Sequence, residues 1–175
     1  MISFFEGCGI FAFDSLRRFM ARVLIIYGTT GGNTELTVEE VVDLLKEKKI
    51  DAKMMKVEKF AFDSLWEEMG VAGVVILASP TYGHGQLQEH MIPFFLKLSE
   101  MKLEGKPYAV IGLGEPKYDS HYHIESSTIL EKAMNACKAK KIHYALKISR
   151  SPVLQMENLI PKWTEKLAEA IKQLA

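Results

Sequence analysis

The feature that most limits what this chain can fold into is an apolar run, Val23-Leu24-Ile25-Ile26-Tyr27, that leads straight into Gly28-Thr29-Thr30-Gly31-Gly32-Asn33-Thr34. An unbroken apolar run with β-branched members suits a strand covered on both faces, as in a parallel sheet. Beyond the polar loop, Leu36, Val38, Val41, Val42, Leu44 and Leu45 recur at helical spacing, and the pattern fades at Lys46-Glu47-Lys48-Lys49. A buried strand, a turn rich in glycine and hydroxyls, and a helix start in immediate succession can cradle a phosphate without Lys or Arg. The glycine amides, the hydroxyls and the positive end of the helix dipole all favour an anion. Taken alone, the same residues also describe a polar turn with a Thr or Asn cap.

The alternation continues along the chain. A weak outer strand is expected over 53–57, a short helix over 64–69 with Ser64 and Glu67 at capping-box spacing, and a buried strand over 74–77. A helix follows over about 87–98, with Pro93 kinking it or sitting in its first turn. Then come a strand over 108–112, a helix over about 128–140 capped by Ser127, a strand over 142–148, and an amphipathic helix over 161–174 carrying Trp163, Leu167 and Ile171. Five strands alternating with five helices predict a doubly wound α/β sheet with helices on both faces, and a ligand site at the carboxyl ends of the strands.

Composition removes other classes. Arg22, Glu35, Lys46, Asp63 and Glu89 interrupt every apolar run well short of the roughly 18 residues of a membrane span. A net charge of zero without a block of bases gives no reason to expect nucleic acid or an anionic membrane surface. Cys8 and Cys137 form no C-x-x-C pair, so a reducing cytoplasm is the expected setting. Asn33 occupies the place where a nucleotide P-loop needs Lys, and the dinucleotide pattern G-x-G-x-x-G is absent. A response-regulator receiver needs acidic residues where this chain has Tyr27-Gly28-Thr29.

The first residues do not match the rest. Glu6 interrupts their apolar stretch and Arg17-Arg18 follows it, the reverse of a secretory signal. Phe-Ala-Phe-Asp-Ser-Leu occurs at 11–16 and again at 60–65, two copies being too few for a repeat architecture. Residues 1–21 are therefore expected to be an extension, non-native or dispensable, and 22–175 the folded domain.

Two further loops lie where the ligand site should be. Ser79-Pro80-Thr81-Tyr82-Gly83-His84 and Gly112-Leu113-Gly114-Glu115-Pro116-Lys117-Tyr118 each set one aromatic beside glycine. Two such aromatics at one sheet edge can clamp a flat conjugated ring, while glycines let backbone groups approach its rim.

Together these stretches resemble the flavodoxin family along nearly all of 22–175. Thr29, Thr30, Gly31, Gly32, Asn33 and Thr34 resemble its FMN-phosphate loop, with Gly31 where a hydroxyl residue is common. Ser79 to His84, followed by Gly85-Gln86-Leu87-Gln88-Glu89 and Ile92-Pro93-Phe94-Phe95, resemble its isoalloxazine loop and helix, Tyr82 standing where Trp is frequent. Gly112, Leu113, Gly114, Glu115 and Tyr118 resemble its third loop, Glu115 replacing Asp and Tyr118 matching the stacking Tyr. The resemblance implies strand order 2-1-3-4-5, the short-chain form, FMN as cofactor and no catalytic residue. It also implies a low-potential one-electron carrier between a reductase and an acceptor enzyme, monomeric and cytoplasmic, that meets its partners at the exposed flavin edge.

With no cation in the phosphate loop, and Glu115 and Asp119 near the ring, the added negative charge of reduced flavin is disfavoured and the potential is expected to be low. Gly83, Tyr82 and Tyr118 are the expected redox-tuning residues. Gly83 is chosen because a glycine peptide can flip its carbonyl toward flavin N5. His84, His90, His121 and His123 cluster near the loops as exposed polar residues, with no obvious third ligand for a metal. Flavodoxins are typically acidic and this chain is balanced, so steering of a basic partner is expected to be weak or local. The alternative function is an NAD(P)H-dependent FMN oxidoreductase of the quinone reductase type, set back by the absence of a nicotinamide motif.

Overall fold

The computed structural model describes residues 22–83, 85–114 and 124–174. Within them β1 (Val23–Tyr27) lies between two parallel neighbours, β2 (Ala52–Lys56) and β3 (Val74–Tyr82). β3 pairs in parallel with β5 (Pro107–Gly114), which carries both β6 (Lys140–Lys141) and β7 (Leu146–Ser149) along its far side. The sheet thus runs β2-β1-β3-β5 and then β6 with β7. This is the expected 2-1-3-4-5 order, with the fifth place divided in two.

The period-two geometry of a strand explains why β1 is apolar throughout. Val23, Ile25 and Tyr27 enter a core shared with α1 (Asn33–Glu47) and α5 (Leu159–Lys172). Leu24 and Ile26 enter the opposite core with α2 (Phe62–Val71), α3 (Met91–Leu98) and α4 (Glu125–Ala136). β3 and β5 divide in the same way, Val74, Ile76 and Ala78 facing one layer and Val75 and Leu77 the other. Each buried Val, Leu or Ile among them contributes about 1.5–3 kcal/mol by leaving water. No described helix is long and apolar enough to cross a membrane.

Several element boundaries differ from the periodicity. Leu87, expected to open a helix, instead ends β4 (Gln86–Leu87), whose residues pair antiparallel with Tyr82 and Thr81. α3 therefore starts at Met91, and Pro93 falls in its first turn, where a missing N–H costs little. α2 starts at Phe62 and α4 at Glu125, so Ser64 and Ser127 lie inside the first turn rather than at the cap. Ser127 Oγ instead donates to Ile124 O at 2.7 Å. α5 opens at Leu159, two residues before Pro161. α4 stops at Ala136, not near 140, because Lys138 takes a left-handed φ of 59° and Ala139 N donates back to Met134 O.

The break in the fifth strand has a specific cause. Buried Trp163 needs an acceptor for its indole N–H, and Nε1 donates to Tyr144 O at 2.7 Å, holding 143–145 off the ladder while Ile142 N still donates to Tyr108 O. His143 sits in that break, its ring 5.4 Å from Trp163. Burial holds His143 below the ordinary histidine range against the opposing pull of a hydrogen bond with the Trp163 backbone, and Lys166 and Lys141 add to the lowering. The folded state therefore resists protonation. The stability this residue supports is present above about pH 6.5, its unfolded value, and falls as the pH drops below it. Urea unfolding should lose more free energy between about pH 7.5 and 5.5 in the wild type than in His143→Gln; equal losses would contradict this.

Candidate functional site

The cradle begins where β1 ends. Gly28 N donates to Ala78 O at 3.1 Å, keeping the loop in register with β3, and a Cβ on Gly28 would overlap Met91 Cγ and Gln88 Oε1. Thr29 Oγ1 accepts from Gly32 N at 3.0 Å, folding the turn on itself. Gly32 caps α1 with a φ of 83° and offers no side chain to the first N–H groups of the helix. Thr34 is 1% exposed, and its Oγ1 is buried without any hydrogen-bond partner. Open helix amides and an unpartnered buried hydroxyl at one point are costly unless an acceptor completes them.

Behind the loop stands Gln88, fully buried. Its Oε1 accepts from His90 N at 3.0 Å and Met91 N at 3.2 Å, which fixes the amide orientation. Nε2 then faces Thr30 Oγ1 at 3.3 Å and His90 Nδ1 at 2.9 Å. His90 Nδ1 also lies 2.8 Å from Glu58 Oε2, and since one ring nitrogen cannot accept from Gln88 and donate to Glu58 at once, the brace on the phosphate loop is Gln88 itself, in the turn that leads into α3. On the other side Tyr27 Oη donates to Glu35 Oε1 at 2.6 Å. Burial, then that carboxylate, raises the Tyr27 hydroxyl well above the ordinary tyrosine range.

The three loops meet in one cleft, lined by Thr29, Gly31, Asn33 and Thr34 from the first, Pro80, Thr81 and Tyr82 from the second, and Leu113 and Gly114 from the third. Tyr82 is 40% exposed, a large ring left in solvent beside it. Thr30, Gly32, Ser79, Gly83 and Gly112 do not line it. Ser79 is buried, donating to Pro80 O and accepting from Gln88 N, and Thr81 Oγ1 accepts from Ser126 N. Gly112, expected to give a ring its approach, instead makes room for α4. A Cβ there would crowd Ser127 Cβ at 2.7 Å and Ile124 Cγ2 at 3.0 Å. His84, Glu115 and Tyr118, together with Asp119, His121 and His123, lie outside the described residues.

Sequence reasoning missed two residues. Gln88 gave no signal beyond its place in the second loop's helix, and its brace exists only once α3 packs on β1. Arg150 follows β7 in no motif, yet it lines the same cleft, so the site carries a cation that the phosphate loop lacks.

The family model for flavodoxin matches residues 25–163. This chain belongs to the flavodoxin family. It is 29% identical over 154 residues to a flavodoxin of Maridesulfovibrio salexigens, covering 87% of this chain and 100% of that protein. The Streptococcus pneumoniae TIGR4 flavodoxin superposes with a TM-score of 0.73 at 26% identity, over 85% of this chain and 99% of that one. Rubredoxin oxygen:oxidoreductase of Desulfovibrio gigas gives a TM-score of 0.75 at 16% identity, over 88% of this chain but 37% of that one, and so shares the fold alone.

Flavodoxins bind FMN and carry electrons. The donor set fits that cofactor's phosphate. The first turn of α1 and Thr34 Oγ1 supply unfilled donors, and the adjacent Glu35 carboxylate is engaged by Tyr27. Gln88→Ala should raise the FMN dissociation constant about tenfold, the equivalent of roughly 1.4 kcal/mol, by freeing Thr30. Quenching of flavin fluorescence measures this, and an unchanged affinity would remove the bracing role.

Proposed function

We propose that this chain is a low-potential one-electron carrier that holds FMN in the three-loop cleft and shuttles electrons between a reductase and an acceptor enzyme. The observation that carries the reading is the convergence of an unfilled phosphate cradle and an exposed aromatic on one open cleft at the carboxyl edge of the sheet. Bound FMN supplies the redox chemistry, accepting and returning two electrons one at a time. Thr29, Thr30, Asn33, Thr34 and the backbone of Gly31 hold the phosphate, while Gly32 shapes the turn through its N–H to Thr29 Oγ1. Tyr82 and Tyr118 flank the ring, and the backbone of the second and third loops, with His84 and Glu115 beside them, meets its polar rim. Glu115 and Asp119 add negative charge in the third loop and lower the potential.

Gly83 acts through its backbone. With a φ of 51° it occupies a conformation that favours glycine, and its peptide is free to turn its carbonyl toward N5. Partners meet the open edge beside Tyr82, and the chain works as a monomer in a reducing cytoplasm, in keeping with the buried free thiol of Cys137. The FMN-binding unit is assigned to residues 22–175, an assignment supported by the family match over 25–163.

Anaerobic titration of the FMN-loaded protein tests the reading. Dithionite should reduce it in two separated one-electron steps, and NADPH alone should leave it oxidised. Full bleaching by NADPH would contradict the carrier reading in favour of an oxidoreductase. Gly83→Val should bring the two potentials closer by about 59 mV or more, the equivalent of a tenfold change in relative affinity, and an unchanged separation would reject the role of Gly83.

A further inference from the structure

Arg150 follows β7, donates its backbone N–H to Gly114 O at 3.2 Å, and has a φ of 72°. For a residue with a Cβ this left-handed conformation is strained, and glycine would take it freely. The backbone thus gives no reason for an arginine. The residue nevertheless borders the cleft, together with Thr34, Tyr82 and Gly114, and is exposed to solvent. It is the one charged side chain among the described residues that line the cleft, and no described carboxylate forms an ion pair with it. Everything else that could hold a phosphate there is neutral, either hydroxyl or amide.

A guanidinium keeps its charge throughout the working pH range, so its field in the cleft is permanent. We propose that Arg150 is a redox-setting residue of this site, a fixed cation that favours flavin in its more negatively charged, fully reduced form. This deepens the carrier reading and rests on it. The added electron comes from a reduced protein partner and stays on the flavin. Arg150 undergoes no chemistry and acts only through charge, offsetting in part the acidic residues of the third loop. Two consequences separate charge from shape. The effect must persist in lysine, and salt must shrink it because the residue is solvent-exposed.

The experiment is spectroelectrochemistry of FMN-loaded wild type, Arg150→Gln, Arg150→Lys and Arg150→Gly at low and high ionic strength. Arg150→Gln and Arg150→Gly should lose about tenfold in affinity for fully reduced relative to oxidised FMN, lowering the second one-electron potential by about 59 mV. Arg150→Lys should keep most of the wild-type value, and high salt should narrow the differences. Arg150→Gly also relieves the backbone, so a thermal midpoint at or above wild type with a lowered potential would mark the effect as electrostatic. Coincident second potentials of wild type and Arg150→Gln at low ionic strength would overturn the proposal, as would Arg150→Lys behaving like Arg150→Gln. Failure of the wild type to quench added FMN would instead overturn the carrier reading on which the proposal stands.

Discussion

The structure depends on an unfinished helix start. α1 follows the fully buried strand β1 across the loop 28–32, capped by a glycine that offers no side-chain acceptor, with the buried hydroxyl of Thr34 facing no partner. Unfilled donors at a helix N-terminus cost free energy in the protein alone and are recovered when an anion arrives. The sheet makes this tolerable. β1 is buried on both faces and paired on both sides, so the loop is anchored by the most rigid part of the fold.

Rigidity also comes from behind. Gly28 has no Cβ because Gln88 and Met91 occupy that space, and Gln88 turns this close approach into a hydrogen bond to Thr30. The phosphate loop, the second loop and α3 therefore behave as one packed unit. The third loop reaches the cleft through Leu113 and Gly114, while Gly112 is given over to the packing of α4. Charge is added at the edge by Arg150, in the turn that follows β7, on the side of the sheet away from β1.

Much of this was legible in the residues. The runs at 23–27, 74–77 and 108–112 are too apolar for anything but central strands, and their order followed from three loops that resemble a known family. What escaped the sequence depended on long-range contacts. The fifth strand is broken because Trp163, about twenty positions later, takes the carbonyl of Tyr144. Periodicity started a helix at Leu87 because a two-residue hairpin arm has no period of its own. Lys138 ends α4 in a left-handed turn usually given to glycine, so no stop signal was visible. Arg150 is the same kind of case: a charged residue at a glycine-like position means little until the turn carries it to the cleft.

The most direct measurement is a comparison of FMN with riboflavin, which lacks the phosphate, by quenching of flavin fluorescence at fixed ionic strength. If the open helix start and Thr34 form a phosphate cradle, FMN should bind at least a hundredfold more tightly, the equivalent of about 2.8 kcal/mol. Equal affinity for the two flavins would contradict the account, because the unfilled donors at the start of α1 would then have no ligand to complete them.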